Sequence, residues 1–238
     1  MHIWIIATFV AFFIKGLCGF ANTLVFTSIL GFGEANVNIS PVELVLGFPA
    51  NAILTWRHRE HFHAKIVVPI SLIVLCGSIP GAILLKNVDV RYLKIFFGAV
   101  VVLIGIEMML KEYNLIPERK SKVLMFLIGI SSGILCGLFG VGVLVAAYVS
   151  RVTSTTDEFK GNISAVFLVE NTVRIILYSI LGVVTFSTLK QSLILFPVVL
   201  LGLYAGMKSA QVMNEKMAKK VVIILLIISG LSLVFGNL

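Results

Sequence analysis

The sequence predicts an all-α polytopic membrane protein built from two inverted repeats. The first observation is composition: of 238 residues, 59% are hydrophobic and 13% are charged. Soluble domains have about 45–50% apolar and about 25% charged residues, and a soluble fold of this size could not bury so much apolar surface. The second observation is that several apolar stretches approach the length of about 20 residues that a membrane-spanning helix needs. Composition therefore excludes a soluble enzyme, a disordered chain and a nucleic-acid-binding module.

A series of apolar stretches follows along the chain, and glycines recur in them with nearly constant spacing. The stretches cover residues 3–31, 42–56, 66–85, 92–110, 123–150, 161–184, 191–207 and 221–236. The recurring glycines are the pairs Gly16 and Gly137, Gly19 and Gly140, Gly77 and Gly202, Gly81 and Gly206, and Gly105 and Gly230. We therefore expect a first repeat over residues 1–115, a charged linker over 116–122 and a second repeat over 123–238.

The distribution of basic residues indicates how each repeat crosses the membrane. The two longest stretches, 3–31 and 123–150, are also those that glycine pairs interrupt. If both fold back as broken or re-entrant helix pairs, most loop Lys and Arg residues fall on one side, as the positive-inside tendency requires. Each repeat is then a broken or re-entrant helix pair plus three transmembrane helices, and the repeats insert with opposite orientations.

This topology predicts a multi-pass protein of the plasma membrane. The basic loops 57–65 and 111–122 are expected in the cytoplasm, with both termini outside. The formal net charge of +8 then needs no acidic partner, because cytoplasmic loops of membrane proteins collect Lys and Arg. Single tilted helices with packing glycines are the alternative interpretation of the two long stretches.

Ionisable side chains inside the apolar stretches are the first candidates for a functional site. Charge within the hydrocarbon is costly and normally faces a cavity or a partner. Lys15 directly precedes the first glycine pair, and Glu170 and Arg174 share a helix face four residues apart. We expect Lys15 and Arg174 to bind an anion and Glu170 to act in coupling or gating, with a purely structural Glu170–Arg174 pair as the alternative.

Interrupted helices offer a second kind of anion site. Glycine lets the backbone unwind and approach a ligand, and the amides that open the next half-helix present the positive end of its dipole. Close helix packing by the same glycines is the competing interpretation. The candidate binding residues in and near the breaks are Gly16, Gly19, Asn22, Thr23, Asn51, Gly137, Gly140, Gly142 and Asn171.

The remaining motifs point away from metal, cofactor and enzyme chemistry. The loop 57–63 holds three histidines and two arginines, but no cysteine or carboxylate constellation completes a metal site. A loop that faces lipid headgroups is the favoured interpretation. Inverted repeats with interrupted helices are typical of secondary transporters. Because no nucleotide-binding G-x-x-x-x-G-K-[ST] motif occurs, such a transporter would draw on an ion gradient. Cys18 and Cys136 lie in the two breaks and leave open an intramembrane thiol–disulfide electron carrier.

The motifs of the two breaks, Lys15-Gly-Leu-Cys-Gly19-Phe and Cys136-Gly-Leu-Phe-Gly-Val-Gly142, resemble those of the sulfite exporter TauE/SafE family of membrane permeases. The resemblance extends over essentially the whole chain, although the family commonly has a longer glycine run in each break. It implies a secondary transporter that exports small sulfur-containing oxyanions, organosulfonates or carboxylates. The expected partners are this small anionic solute and the lipid bilayer, with no cofactor, and assembly as a homo-oligomer stays open.

Overall fold

The computed structural model describes residues 1–30, 36–84, 142–212 and 215–235, together with Cys136 and several positions between 95 and 110. Within these residues the regular structure is entirely helical, as predicted, with eight α-helices and one 3₁₀ turn at Arg59–His61. The helices are α1 His2–Cys18, α2 Asn22–Leu30, α3 Asn36–Arg57, α4 Ala64–Leu84, α5 Val143–Val152, α6 Thr156–Ile180, α7 Phe186–Ala210 and α8 Glu215–Phe235.

Four of the described helices are long and apolar enough to cross a membrane. Their spans are Asn38–Arg57, Ala64–Gly81, Thr156–Ile180 and Phe186–Ala210, and the 17-residue α1 is a shorter apolar helix. Large apolar side chains cover the outside of these helices, and on α7 Leu193 and Leu201 are 75% and 64% exposed. Lipid is the solvent that tolerates such a surface, which confirms the predicted class of α-helical membrane protein.

The first apolar stretch is broken at the glycine pair, as its sequence predicts. α1 ends at Cys18, and its C-cap Gly19 has φ +88°, in the left-handed region. Ala21 also has a positive φ, +70°, and α2 begins directly after it at Asn22. In the second long stretch, α5 begins after its N-cap Gly142.

The chain folds back at this break, so that α2 packs along α1. The rings of Trp4 and Phe26 lie 5.7 Å apart in an edge-to-face contact. The helix between Trp4 and Cys18 is about 21 Å long, so a continuous or straight α1–α2 rod would hold these rings far apart. Residues 19–21 therefore form the tip of a helical hairpin.

Glycines allow α1 and α7 to approach closely. A Cβ on Gly202 would lie 2.7 Å from the carbonyl oxygen of Phe9, and one on Gly206 would overlap the carbonyl oxygen of Phe13. Gly16 faces the backbone of α7 at Leu203 in the same way. The order of these contacts shows that α1 and α7 run parallel.

α3 begins earlier than the hydropathy pattern predicts. Its first residue is Asn36, whereas the apolar stretch begins at residue 42, because polar residues and Pro41 near a helix start lower the local hydropathy without ending the helix. Glu43 consequently lies within α3 rather than at its edge. The division into repeats 1–115 and 123–238 stays a prediction, since the linker 116–122 is outside the described residues.

Candidate functional site

Charged and amide side chains from α1, α2, α3 and α6 converge on one small cavity. Its volume is about 20 Å³, room for about one water molecule, so the site is closed in this conformation. The charged members are almost completely buried, and Lys15 is only 1% exposed. The polar residues that line the cavity are Lys15, Asn22, Thr23, Glu43, Asn51, Glu170 and Asn171.

Lys15 is held by the helix that follows the break. Its Nζ donates a hydrogen bond to Oδ1 of Asn22 at 2.9 Å and lies 5.8 Å from the centre of the Phe167 ring. Asn22 is the first residue of α2, so the fold-back at residues 19–21 brings its amide within reach of Lys15. Gly142 lines the cavity beside Phe167, which places the start of α5 at the same site.

Glu43 is the site residue that the sequence analysis missed. Its Oε1 accepts hydrogen bonds from Nδ2 of Asn22 and from Oγ1 of Thr23, the latter at 2.7 Å. Its Oε2 lies 3.8 Å from Nη2 of Arg174. The sequence did contain a signal for it, since Glu43 is a single carboxylate at the start of an otherwise apolar stretch. An acidic residue inside a membrane span is a functional candidate by default.

Arg174 lies between two carboxylates. Its Nε is 3.6 Å from Oε1 of Glu170, its predicted partner one helical turn away, and its Nη2 approaches Glu43. Its Nη1 also donates to the carbonyl oxygen of Cys136, and Glu170 accepts a hydrogen bond from Oγ of Ser78 at 2.8 Å. The Glu170–Arg174 contact is therefore present, while its role in gating or coupling stays a prediction.

Two asparagines at comparable places in the predicted repeats meet at the cavity. Asn171 accepts a hydrogen bond from Nη2 of Arg174 at 3.4 Å. Oδ1 of Asn51 is buried and makes no hydrogen bond within the described residues. An asparagine side chain has an acceptor oxygen and a donor nitrogen, so by rotating it can present either atom to a polar ligand.

Two of the predicted binding glycines, Gly16 and Gly19, lie beside the site rather than in it. Gly16 belongs to α1 and packs on α7, and Gly19 forms the turn beside Lys160. Neither lines the small cavity, whereas Gly142 does. Gly137 and Gly140 fall outside the described residues.

A larger, basic cavity lies next to the tip of the hairpin, and we call it the vestibule. Its volume is about 580 Å³, and it is formed by the ends of α1, α3 and α7 and the start of α6. Lys160, which is 5% exposed, lines it and also packs on Gly19. The ionisable residues of the vestibule are Arg57, His58, Arg59, Glu60, His61, Asp157 and Lys160.

Histidines of the loop 57–63 pair with carboxylates at the start of α6. Nδ1 of His58 lies 3.3 Å from Oδ1 of Asp157, and Nε2 of His63 lies 3.5 Å from Oε1 of Glu158. Partial burial lowers the pKa of His58 below its ordinary value, while the neighbouring Asp157 carboxylate acts in the opposite direction. Among the described residues, no group of three or more potential metal ligands occurs.

Cys18 and Cys136 share one buried apolar cluster, and no disulfide joins them. Their common location keeps the predicted thiol–disulfide carrier as an alternative, without assigning a redox reaction to them. The polar cavity, by contrast, combines the Lys15 cation and three amides, which are groups that recognise anions, with the carboxylates Glu43 and Glu170.

Comparison with known proteins identifies the family of the chain. No curated protein and no solved structure matches the chain significantly. A protein family described as Sulfite exporter TauE/SafE matches it over residues 4–233. Because this match covers nearly all of the 238 residues, the chain belongs to the TauE/SafE family of membrane transporters.

Proposed function

We propose that this protein is a secondary transporter of small anions, above all sulfur oxyanions such as sulfite or organosulfonates, with small carboxylates as further candidates. We propose further that it exports them across the plasma membrane with the energy of an ion gradient. The observation that carries this proposal is Lys15, a fully buried cation beside a helix break, bound to Asn22 in a polar cavity. Buried cations within a membrane span normally serve a ligand or a partner.

The chemistry of the site suits an oxyanion. Lys15 supplies an ammonium group, and Asn22, Thr23 and Asn171 supply neutral donors around the cavity. The planar guanidinium group of Arg174 lies next to this lining, 3.8 Å from Oε2 of Glu43. Charge-assisted hydrogen bonds to such oxygens are shorter and stronger than neutral ones. Several donors aimed at one small space recognise a compact anion with several oxygens better than an elongated solute.

The two cavities suggest the route. The vestibule, with Lys160, Arg57 and Arg59, would attract anions to the loop end of the helices, and the hairpin tip separates it from the closed site. The cavity of about 20 Å³ is too small for an oxyanion with several heavy atoms. Binding therefore requires the surrounding helices to move apart, as rocking of one repeat against the other would achieve.

In the proposed mechanism, Glu170 gates this movement. Its carboxylate lies 3.6 Å from Nε of Arg174 and accepts a hydrogen bond from Ser78 of α4. A proton on Glu170 would weaken its attraction for Arg174 and its hydrogen bond with Ser78, and so loosen the contact between α6 and α4. We propose that this step links the rate of opening to the proton gradient.

A flux assay tests the proposal. Purified protein in proteoliposomes should move sulfite or methanesulfonate, with succinate as the carboxylate probe, and an imposed pH difference should change the flux. Lys15→Met keeps the length of the side chain but removes its charge, and it should lower the flux about tenfold or more, because a hydrogen bond to a charged group is worth about 1.5–3 kcal/mol.

The matched control is Lys190→Met, which removes an exposed lysine near the start of α7, at the opposite end of that helix from the vestibule. It should transport as well as the wild-type protein. Equal flux in the two variants, with both folded by size-exclusion chromatography, would show that Lys15 does not serve the anion. No flux of any probe in the wild-type protein would reject the substrate class.

A further inference from the structure

The side chain of Glu43 occupies the hydrogen-bond donors that a transported anion would use. It accepts from the Asn22 amide and the Thr23 hydroxyl, and its second oxygen faces Arg174 at 3.8 Å. Glu43 is only 2% exposed, and its Oε2 has no hydrogen-bond partner within the described residues. Its carboxylate thus stands where the oxygens of an anionic solute would bind.

The charges around Glu43 are balanced without any solute. Two cations, Lys15 and Arg174, face two carboxylates, Glu43 and Glu170, in the same buried cluster. The other ionisable groups near Glu43 are Cys136 and Tyr178. An added anion would leave one negative charge uncompensated in a low-dielectric site, which is costly. A proton taken up with the anion restores the balance.

We propose that Glu43 is an internal competitor of the transported anion: it holds Asn22, Thr23 and Arg174 when the site is empty, and it must accept a proton before an anion can replace it. One proton is therefore bound with each monovalent anion. Because a proton carried outward with the anion moves against an inward proton gradient, the energy for export would come from the gradient of the anion itself. This inference rests on the proposed function and adds a substrate-linked proton site to it. Glu170 contacts neither Asn22 nor Thr23 in the described structure, so its proposed effect is on opening rather than on affinity.

The pH dependence of the Michaelis constant tests this competition. Methanesulfonate is the probe, because its sulfonate group stays ionised throughout the assay range. With equal pH on both sides of the membrane, the wild-type KM should rise about tenfold per pH unit where Glu43 loses its proton, the slope for one linked proton. Glu43→Gln keeps the acceptor for Asn22 and Thr23 but cannot titrate, so its KM should be independent of pH.

Glu170→Gln is the matched control, since it neutralises the other carboxylate beside Arg174. It should change kcat and retain the pH dependence of KM. If Glu43→Gln keeps the wild-type slope, or if Glu170→Gln removes it, Glu43 is not the competitor. If the wild-type protein moves no methanesulfonate at any pH, the proposed substrate class fails instead.

A measurement on the wild-type protein covers the case in which Glu43→Gln does not fold. Isothermal titration calorimetry of methanesulfonate in buffers of different ionisation enthalpy gives the number of protons bound with the anion. The expected number is about one at a pH where Glu43 is ionised. Binding without proton uptake throughout the pH range would overturn the inference and leave the proposed transport function intact.

Discussion

Lys15, Glu43, Glu170 and Arg174 stabilise one another as a group, because none of them is tolerated alone inside a membrane. Each is buried, and each lies near a residue of opposite charge. Removal of one member of a buried pair costs about 3–5 kcal/mol, since it leaves the other charge without a partner. Substitutions of these residues therefore report on function only when folding is measured beside transport.

The turn at Gly19 provides a residue-scale prediction about the break itself. Its φ of +88° is unfavourable for any side chain, and a Cβ there would lie 3.0 Å from Cγ of Lys160. Gly19→Ala should destabilise the protein by about 1–2 kcal/mol from the backbone alone, with a further loss from the contact. Thermal unfolding in detergent should show a clear fall in the midpoint temperature.

Gly182→Ala is the control for this prediction. Gly182 also has a positive φ, +67°, but a Cβ there would meet nothing within 4 Å. Gly182→Ala should lower the free energy of unfolding only by the backbone contribution, so its midpoint temperature should fall less than that of Gly19→Ala. Equal midpoints for the two variants would mean that the contact with Lys160 does not constrain the hairpin tip.

At the residue scale, the sequence analysis identified the charged side chains that lie well inside apolar stretches and missed Glu43, which lies at the start of one. Lys15 and Arg174 stand out because apolar residues surround them on both sides. Glu43 lies at the start of the stretch 42–56, just after the polar segment that ends at Pro41, so it was not singled out as an intramembrane charge. The sequence also could not show toward which neighbour a residue of a helix faces. Gly16 was expected to face a ligand, but it packs on α7.

At the scale of elements, the helices were predicted well where composition is uniform. α4 begins and ends within two residues of the limits of its apolar stretch, and α6 and α7 each begin five residues before theirs. All three form because a long apolar run in lipid has to satisfy its own backbone hydrogen bonds as a helix. The start of α3 was predicted too late. There the helix is fixed by packing and backbone hydrogen bonds rather than by hydropathy.

The contact between the loop 57–63 and α6 gives an element-scale prediction with a defined pH range. The pKa of His58 is lowered from 6.5, mainly by burial, so the folded protein binds this proton less tightly than the unfolded chain does. The stabilisation by neutral His58 is present above pH 6.5 and is lost as the pH falls below it. The unfolding midpoint should therefore decrease from pH 7 to pH 5.

Two variants check that His58 causes this decrease. His58→Gln should flatten it, whereas Asp157→Asn should steepen it, because the Asp157 carboxylate raises the pKa of His58. His2→Gln, at the exposed start of α1, should behave as the wild-type protein does. An undiminished decrease in His58→Gln would assign the pH dependence to other groups.

At the scale of the whole molecule, the contact between the segments around Gly105 and Gly230 is one that an internal duplication predicts. A Cβ on Gly105 would lie 2.6 Å from Cγ1 of Ile227, and one on Gly230 would lie 2.7 Å from Cγ2 of Val102. Gly105 and Gly230 are an equivalent pair in the proposed repeats, and equivalent helices meet where a two-fold axis passes between repeats. The inverted arrangement itself stays a prediction, because only one of the two helix breaks lies fully within the described residues.

The charge at the two ends of the helices predicts the orientation of the molecule in the membrane. Arg57, Arg59 and Lys160 line the vestibule at one end, while Lys190 lies near the start of α7, at the other end. The positive-inside tendency therefore predicts that the vestibule faces the cytoplasm, the side on which an exporter would collect its substrate. Single cysteines at His61 and at Ser187, which are both exposed, should report opposite sides of the membrane.

This sidedness can be measured with a membrane-impermeant maleimide after Cys18, Cys76 and Cys136 are replaced by alanine. His61→Cys should react in inside-out vesicles and be protected in intact cells, and Ser187→Cys should react in intact cells and be protected in inside-out vesicles. The reverse pattern would put the vestibule outside. The basic cavity would then collect anions for uptake, and the proposed direction of transport would have to be inverted, although the site around Lys15 would serve either direction equally well.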